Sequence, residues 1–329
     1  MSRDQHPFAQ QPYDGRRVLV TGATGLIGRA LVPTLLSRGV QVRTTSTRAP
    51  SPALQSGEHQ VGDLTHRSFA ESLMDGIEVV FHLAGRRGSI GIQNTQAATM
   101  LGENLLICLN TLEAARRAGV GALVYTSTVS VYPSMALYQE DLAWSANPHP
   151  ADQYAAWAKR IAEKQIEAIA KQYGMTDIAV VRPVNCFGPF DNFDPKTALV
   201  VPALIGRVEA GEDPLVVWGD GTAVRDFLYV DDVVDGLLRA YERGLGQGPI
   251  NLGSGIGHSI REVVEAVLAA TGRQPTVRWD TSRPAGEPRK VADIARAREI
   301  LGFQPRTTLL EAIGKTVDWY RAGAGRRFA

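Results

Sequence analysis

The sequence predicts an α/β protein, a doubly wound parallel sheet with a smaller C-terminal α/β region, on three observations. The β-branched run Val18-Leu-Val-Thr21 feeds a turn with glycines at 22, 25 and 28, and a helix-periodic run follows. Short apolar strand-like runs then alternate with amphipathic helix-like ones up to Arg182. At 329 residues the chain has room for one large α/β unit and a smaller appendage.

Composition narrows the partners. Lys and Arg number 35 against 34 Asp and Glu, a formal net charge of +1, so no general field draws nucleic acid or an acidic membrane. An anionic ligand must therefore be held by a local site. No run of about 18 apolar residues exists, and residues 1–15 lack the apolar core of a signal peptide and read as a disordered tail. Cys108 and Cys186 sit in apolar runs and read as buried thiols, which fits a reducing cytoplasm.

In order, strands are expected at 17–21 and 40–45 around a helix over 26–38 that Gly39 stops. Gly22 suits the positive φ of a tight turn, Gly25 lets backbone approach a pyrophosphate, and Gly28 lets the helix pack closely. Unpaired N–H groups at the helix start then face the phosphates. Dinucleotide-binding folds place an acid at the end of the second strand to hold the adenosine ribose. That place falls near Ser46, where hydroxyls and Arg48 suit a 2′-phosphate, so NADP is favoured and NAD stays possible. His82, inside the strand Val79-Val-Phe-His-Leu-Ala-Gly85, reads as a hydrogen-bonded structural residue rather than a catalytic one. Helices are expected over 104–118 and 152–173, and strands over 122–132 and 177–182.

The turn, T-G-x-x-G-x-x-G, resembles that of the extended short-chain dehydrogenase/reductase family, whose members mostly act on nucleotide sugars. Further likenesses are Arg182-Pro-Val-Asn-Cys-Phe-Gly-Pro189 and the run from Val216 to Asp232. The resemblance spans about residues 17–320 and implies an NAD(P)-binding Rossmann domain over 16–185. A nucleotide-sugar-binding part over 186–329 returns segments to the first. On the cofactor side it implies Gly22, Thr24, Gly25, Leu26, Ile27, Gly28, Ser46, Arg48, Asp63, Leu64, Leu83, Ala84, Gly85, Lys159 and Pro183. On the substrate side it implies Ser130, Asn185, Val201, Arg207, Trp218, Arg225, Arg283 and Arg289, with the arginines as phosphate clamps. Asp231 and Asp232 are expected to cap the helix that follows them. A homodimer is implied as well, through the 104–118 helix and the one after the active site.

The chemistry of the family needs a Ser or Thr, a Tyr and a Lys. Thr128 falls at the first place, with Ser127 as the alternative donor, and Lys159 at the last. The family's Tyr stands four before the Lys, on one helix face, where the ammonium lowers the phenol's pKa. Here Tyr154 stands five before and Ala155 four before. Five steps leave side chains roughly 140° apart, four about 40°. Either a one-residue bulge returns Tyr154 to the site, or Ala155 occupies the tyrosine place without its phenol. In the second case the chain is an engineered knockout or a natural member using another acid.

Within the family, 191–204 and 280–290 look closest to the GDP-fucose synthase branch, whose epimerisation needs a Cys and a His where this chain has Ser130 and Leu199. The dehydratases' Asp-Glu pair is replaced by Val129 and Ser130. An unactivated Ser and a Leu abstract no carbon-bound proton at a useful rate. The implied function is an NADPH-dependent 4-ketoreductase on a (GDP-)4-keto-6-deoxy sugar. A 4-epimerase with tightly bound NAD and a silent nucleotide-binding protein are the alternatives.

Overall fold

A computed structural model describes residues 13, 15–49, 57–88, 95–194, 197–283 and 286–324. In chain order come β1 (Arg17–Thr21), α1 (Leu26–Ser37), β2 (Gln41–Ser46), β3 (Glu58–Val61), α2 (Arg67–Ser72) and β4 (Val79–His82). Then follow α3 (Ala97–Arg117), β5 (Ala122–Thr126), α4 (Gln153–Tyr173) and β6 (Ile178–Pro183). The C-terminal half adds β7 (Asn185–Phe187), α5 (Val200–Glu209), β8 (Leu215–Trp218), β9 (Val224–Tyr229), α6 (Val230–Arg243) and β10 (Pro249–Leu252). Last are β11 (Gly257–Ser259), α7 (Ile260–Thr271), β12 (Val277–Asp280), β13 (Arg289–Lys290) and α8 (Leu309–Trp319).

Seven parallel strands form the main sheet in the order β10-β6-β5-β4-β1-β2-β3, a doubly wound arrangement. The strand order reverses between β1 and β4. Ligands of such sheets collect beyond the carboxyl ends of the strands at that reversal. Both faces are covered by buried apolar clusters, one including Val18, Val20 and Val124, the other Leu19, Val80 and Leu123. Alternate residues of β1 thus face opposite cores, which is why this strand reads as a continuous apolar run. In the C-terminal half β9 pairs with β7, β11 and β13, and β8 with β12.

Several expectations are corrected. The fifth strand ends at Thr126, not 132, because Thr128 starts a 3-10 turn over Val129–Val131 by accepting the Ser130 N–H at 3.2 Å. Residues 251–255, Asn-Leu-Gly-Ser-Gly, have the composition of a turn yet begin inside β10, an edge strand of the main sheet. The 104–118 helix starts earlier, at Ala97. Asp231 and Asp232 lie in the first turn of α6, whose N-cap is Tyr229, and Asp232 accepts the backbone N–H groups of Arg306 and Thr307 at 3.0 Å each. Tyr13, assigned to the disordered tail, is buried against Tyr241 and donates to the Leu238 carbonyl. The rest of 1–15 apart from Gly15, together with Pro195, Lys196, Pro284 and Ala285 of the family-like stretches, lies outside the described residues.

Candidate active site

The glycine turn is built for close backbone approach. Gly22 has φ +69°, and a Cβ there would stand 2.9 Å from Ala84 Cα. A Cβ on Gly28 would stand 2.6 Å from the Gly22 carbonyl. Gly25, the N-cap of α1, brings no side chain to the helix's first amides, so those donors face outward beside Thr24, Leu26 and Ile27. Thr21 Oγ1 accepts the N–H groups of Leu83 and Ala84 at 3.1 Å, fastening the ends of β1 and β4 together. These features fit a dinucleotide pyrophosphate.

At the adenosine end, Ser46 Oγ donates to the Arg48 carbonyl at 2.6 Å, and the Arg48 side chain is exposed. Arg29, not foreseen from the sequence, lies close by. Burial and then the Arg48 charge hold its pKa below the usual guanidinium value. Asp63 Oδ1 accepts the Thr65 N–H at 2.9 Å, and the carbonyl of the buried Leu64 is tied to Asn110 Nδ2. Pro183 is buried at the end of β6.

His82 is buried and hydrogen-bonded, as expected. Its Nδ1 is 2.8 Å from Thr21 Oγ1, and its ring stacks on Tyr125. Burial, then the Lys159 charge, push its pKa well below 6.5. Below pH 6.5 the unfolded chain therefore binds a proton that the folded chain refuses. Stability is full above that pH and falls as pH drops toward the folded-state pKa, by at most about 1.4 kcal/mol per pH unit. Urea unfolding between pH 7.5 and 5.5 should show this slope, and His82→Asn should lack it, on the order of one proton per chain.

At the reactive end, Lys159 Nζ donates to the Thr126 carbonyl at 2.9 Å and lies 4.9 Å from the Tyr125 ring. A Cβ on Gly85 would stand 3.6 Å from the same Nζ, so Lys159 joins the ends of β4 and β5. The α4 helix runs unbroken over Gln153–Tyr173, with no bulge. That removes the bulged reading of Tyr154, which is 38% exposed. Ala155, four before Lys159, takes the inward place by helix geometry. Ser127 is also corrected as a free donor, because its hydroxyl is held by buried Glu163 at 2.5 Å. Thr128 lies on the segment after β5, two residues beyond the Thr126 carbonyl that Lys159 holds.

Ser130 was expected to be unactivated, yet its Oγ donates to Asp152 Oδ2 at 2.7 Å, and the same oxygen accepts Lys290 Nζ at 2.8 Å. Neither Asp152 nor Lys290 was foreseen. Residues 289 and 290 alternate on β13, and it is Lys290, not Arg289, that aligns with Arg225 on β9. Arg289 is exposed and donates to the Ala136 carbonyl. Arg225 is largely buried, and burial lowers its pKa against the raising influence of Glu287, Tyr138 and Asp152.

The other substrate-side residues are dispersed. Asn185 Nδ2 donates to the Asp226 carbonyl at 2.9 Å. Val201 is in the core, and Arg207 pairs with Glu212 and the Val216 carbonyl, so neither presents a free group. Trp218, 55% exposed on β8, lies under the Arg283 guanidinium at 5.6 Å. Leu199 is the N-cap of α5 and brings no titratable group.

Known proteins resemble this chain in sequence and fold. The profile of the NAD dependent epimerase/dehydratase family matches residues 18–253. GDP-L-fucose synthase 1 of Arabidopsis thaliana is 32% identical over 312 residues, 92% of this chain and 93% of that one. The dTDP-4-dehydro-6-deoxy-D-allose reductase of Streptomyces bikiniensis is 31% identical over 320 residues, 93% of this chain and 97% of that one. The solved UDP-glucose 4-epimerase of Thermus thermophilus, in complex with NAD, superposes with a TM-score of 0.81 at 29% identity, over 93% of this chain and 99% of that one.

Proposed function

The chain belongs to the NAD dependent epimerase/dehydratase family of nucleotide-sugar enzymes, and from that premise we propose that it is an NADPH-dependent reductase. Its substrate on this reading is a nucleoside-diphosphate 4-keto-6-deoxyhexose, reduced at C4 without 3,5-epimerisation. The observation that carries the reading is the end of β2, where no carboxylate stands and the exposed Arg48 follows Ser46 and Thr47. A guanidinium there favours a 2′-phosphate over a free ribose hydroxyl. NADP cofactors serve net reduction, and the likeness to a 4-keto-sugar reductase supports the same direction.

When bound, the cofactor supplies hydride. Lys159 would orient its ribose, and Thr128 would hydrogen-bond the sugar's C4 oxygen. Arg225 would bind the sugar-nucleotide diphosphate, and exposed Trp218 with Arg283 offers a stacking face to the base. Epimerisation beside the ketone needs acid/base groups on both sugar faces, and Leu199 supplies none. Leu106 on α3 and Ile161 on α4, both exposed, support a homodimer through those helices. Two free, buried thiols fit the cytoplasm.

A 4-epimerase with bound NAD is the second reading, favoured by the likeness to the Thermus enzyme. The deciding assay mixes the chain with NADPH and a GDP- or dTDP-4-keto-6-deoxyhexose. Stoichiometric NADPH loss and a C4 alcohol product are expected. Interconversion of C4 epimers with no net cofactor change would overturn the reductase reading. Arg48→Ala should weaken NADPH binding about 10- to 100-fold while leaving NADH within about 2-fold, as removal of a phosphate-pairing charge does. Fluorescence titration of both cofactors checks it, and equal losses for the two would refute a 2′-phosphate contact.

A further inference from the structure

The face of α4 that carries Lys159 carries two more ionisable groups. Ala155, Lys159 and Glu163 fall within about 80° of one another at 100° per residue, and Asp152 is the N-cap just before them. The three charged residues each grip the segment that leaves β5. Lys159 reaches the Thr126 carbonyl, Glu163 holds Ser127, and Asp152 holds Ser130. Ala155 lies between the Asp152 and Lys159 positions, with only a methyl.

Asp152 is not there to cap its helix, since as N-cap of α4 it makes no side-chain cap bond. Instead it accepts Lys290 Nζ at 2.8 Å, and Lys290 lies 3.7 Å from Glu287. Glu287 accepts the Tyr138 hydroxyl at 2.9 Å. Asp152 Oδ1 and Glu287 Oε1 are buried with no hydrogen-bond partner among the described residues. Burying these charges is costly.

We propose that Lys290, Asp152 and Ser130 form a proton relay to the C4 oxygen of the sugar, serving in place of the phenol absent at Ala155. The relay rests on the reductase reading. Ser130 stands two residues after Thr128 in one 3-10 turn, and Thr128 Oγ1 accepts the Ser130 N–H at 3.2 Å, so the relay ends on the segment that carries Thr128. As hydride adds to the ketone carbon, the carbonyl π pair becomes an alkoxide. The Ser130 hydroxyl turns from Asp152 and gives its proton to the alkoxide, while the Lys290 ammonium passes a proton through Asp152 Oδ2 to the Ser130 oxygen, leaving Asp152 a carboxylate and Lys290 a neutral amine. Solvent reprotonates Lys290, so one hydride and one proton enter per alcohol formed. Ser130 is the catalytic residue of the relay, and Asp152 and Lys290 act through it.

The test compares Ser130→Ala and Asp152→Asn, each alone and combined with Ala155→Tyr, using NADPH and the keto sugar. Alone, each is expected to lower kcat about 10²- to 10⁴-fold, the usual worth of a general acid, with NADPH binding unchanged. With Ala155→Tyr, the loss should shrink to about 3-fold or less, because the phenol supplies the proton. Asp152→Glu should restore part of kcat and displace its pH profile. The groups facing Asp152 in that profile are Ser130 and Lys290 in contact, with Glu287, Tyr138 and Arg225 around them.

A cofactor-free readout comes from Ser130→Cys. Alkylation of the new thiol by iodoacetamide should move to lower pH when Asp152→Asn removes the accepting carboxylate. An unmoved thiol titration, or equal kcat losses with and without Ala155→Tyr, overturns the relay. Turnover that survives Ser130→Ala overturns the relay alone. An unaltered chain that binds both ligands and never turns over overturns the relay and the reductase reading together.

Discussion

Ala155→Tyr is expected to raise turnover of the keto sugar about 10- to 100-fold, part of the 10²- to 10⁴-fold that a positioned general acid supplies. The expectation follows from α4. Because that helix is regular from Gln153 to Tyr173, position 155 sits about 40° from Lys159 and Tyr154 about 140° away. A phenol at 155 would lie beside the Lys159 ammonium, which favours the phenolate and brings its pKa toward the working pH. It would then reach the C4 oxygen directly, without the Ser130 relay. Tyr154→Phe, by contrast, should leave kcat within about 2-fold, as exposed substitutions away from such features do. Stopped-flow NADPH oxidation measures both. If Tyr154→Phe abolished turnover and Ala155→Tyr changed nothing, the inward face of α4 would be assigned wrongly.

That face also shows how far the sequence could be read. The glycine turn, the sheet and Lys159 were legible because each depends on residues close in sequence and on a periodicity of two or 3.6. The end of β5 was not, since the alternating run continues through Val131 while the chain has already turned on the Thr128 side chain. Likewise β10 looked like a turn because Asn251-Leu-Gly-Ser-Gly255 carries turn residues just past a short strand. Asp152 escaped notice because its partners, Ser130 and Lys290, stand 22 and 138 residues away. Its seven-residue spacing from Lys159 was the available signal, since seven residues make about two turns of helix. Arg29 belongs to no motif, and only the fold shows its Nε donating to the Thr24 carbonyl at 2.8 Å.

Glu163→Ala is expected to destabilise the fold by about 3–5 kcal/mol, the usual result of stripping one partner from a buried ion pair. Glu163 and Arg182 are 3% and 1% exposed at their side chains, and Arg182 donates to both carboxylate oxygens, at 3.0 and 2.6 Å. Burial alone would lower the Arg182 pKa, but the Glu163 bonds outweigh it and raise the value above the ordinary one. Without Glu163 that guanidinium would keep only the Tyr132 hydroxyl and the Glu140 carbonyl, neither of which offsets its charge. Replacing both residues, as Glu163→Met with Arg182→Met, should cost much less than the sum of the single losses, since no charge is then stranded. Urea unfolding of the singles and the double decides this, and additive losses would refute the coupling. The pair also holds Ser127, directly before Thr128, so Glu163→Ala should lower kcat at temperatures where the variant is still folded. Loss of stability with full kcat would show that the hydroxyl turn after β5 is held by the Lys159 and Asp152 contacts alone.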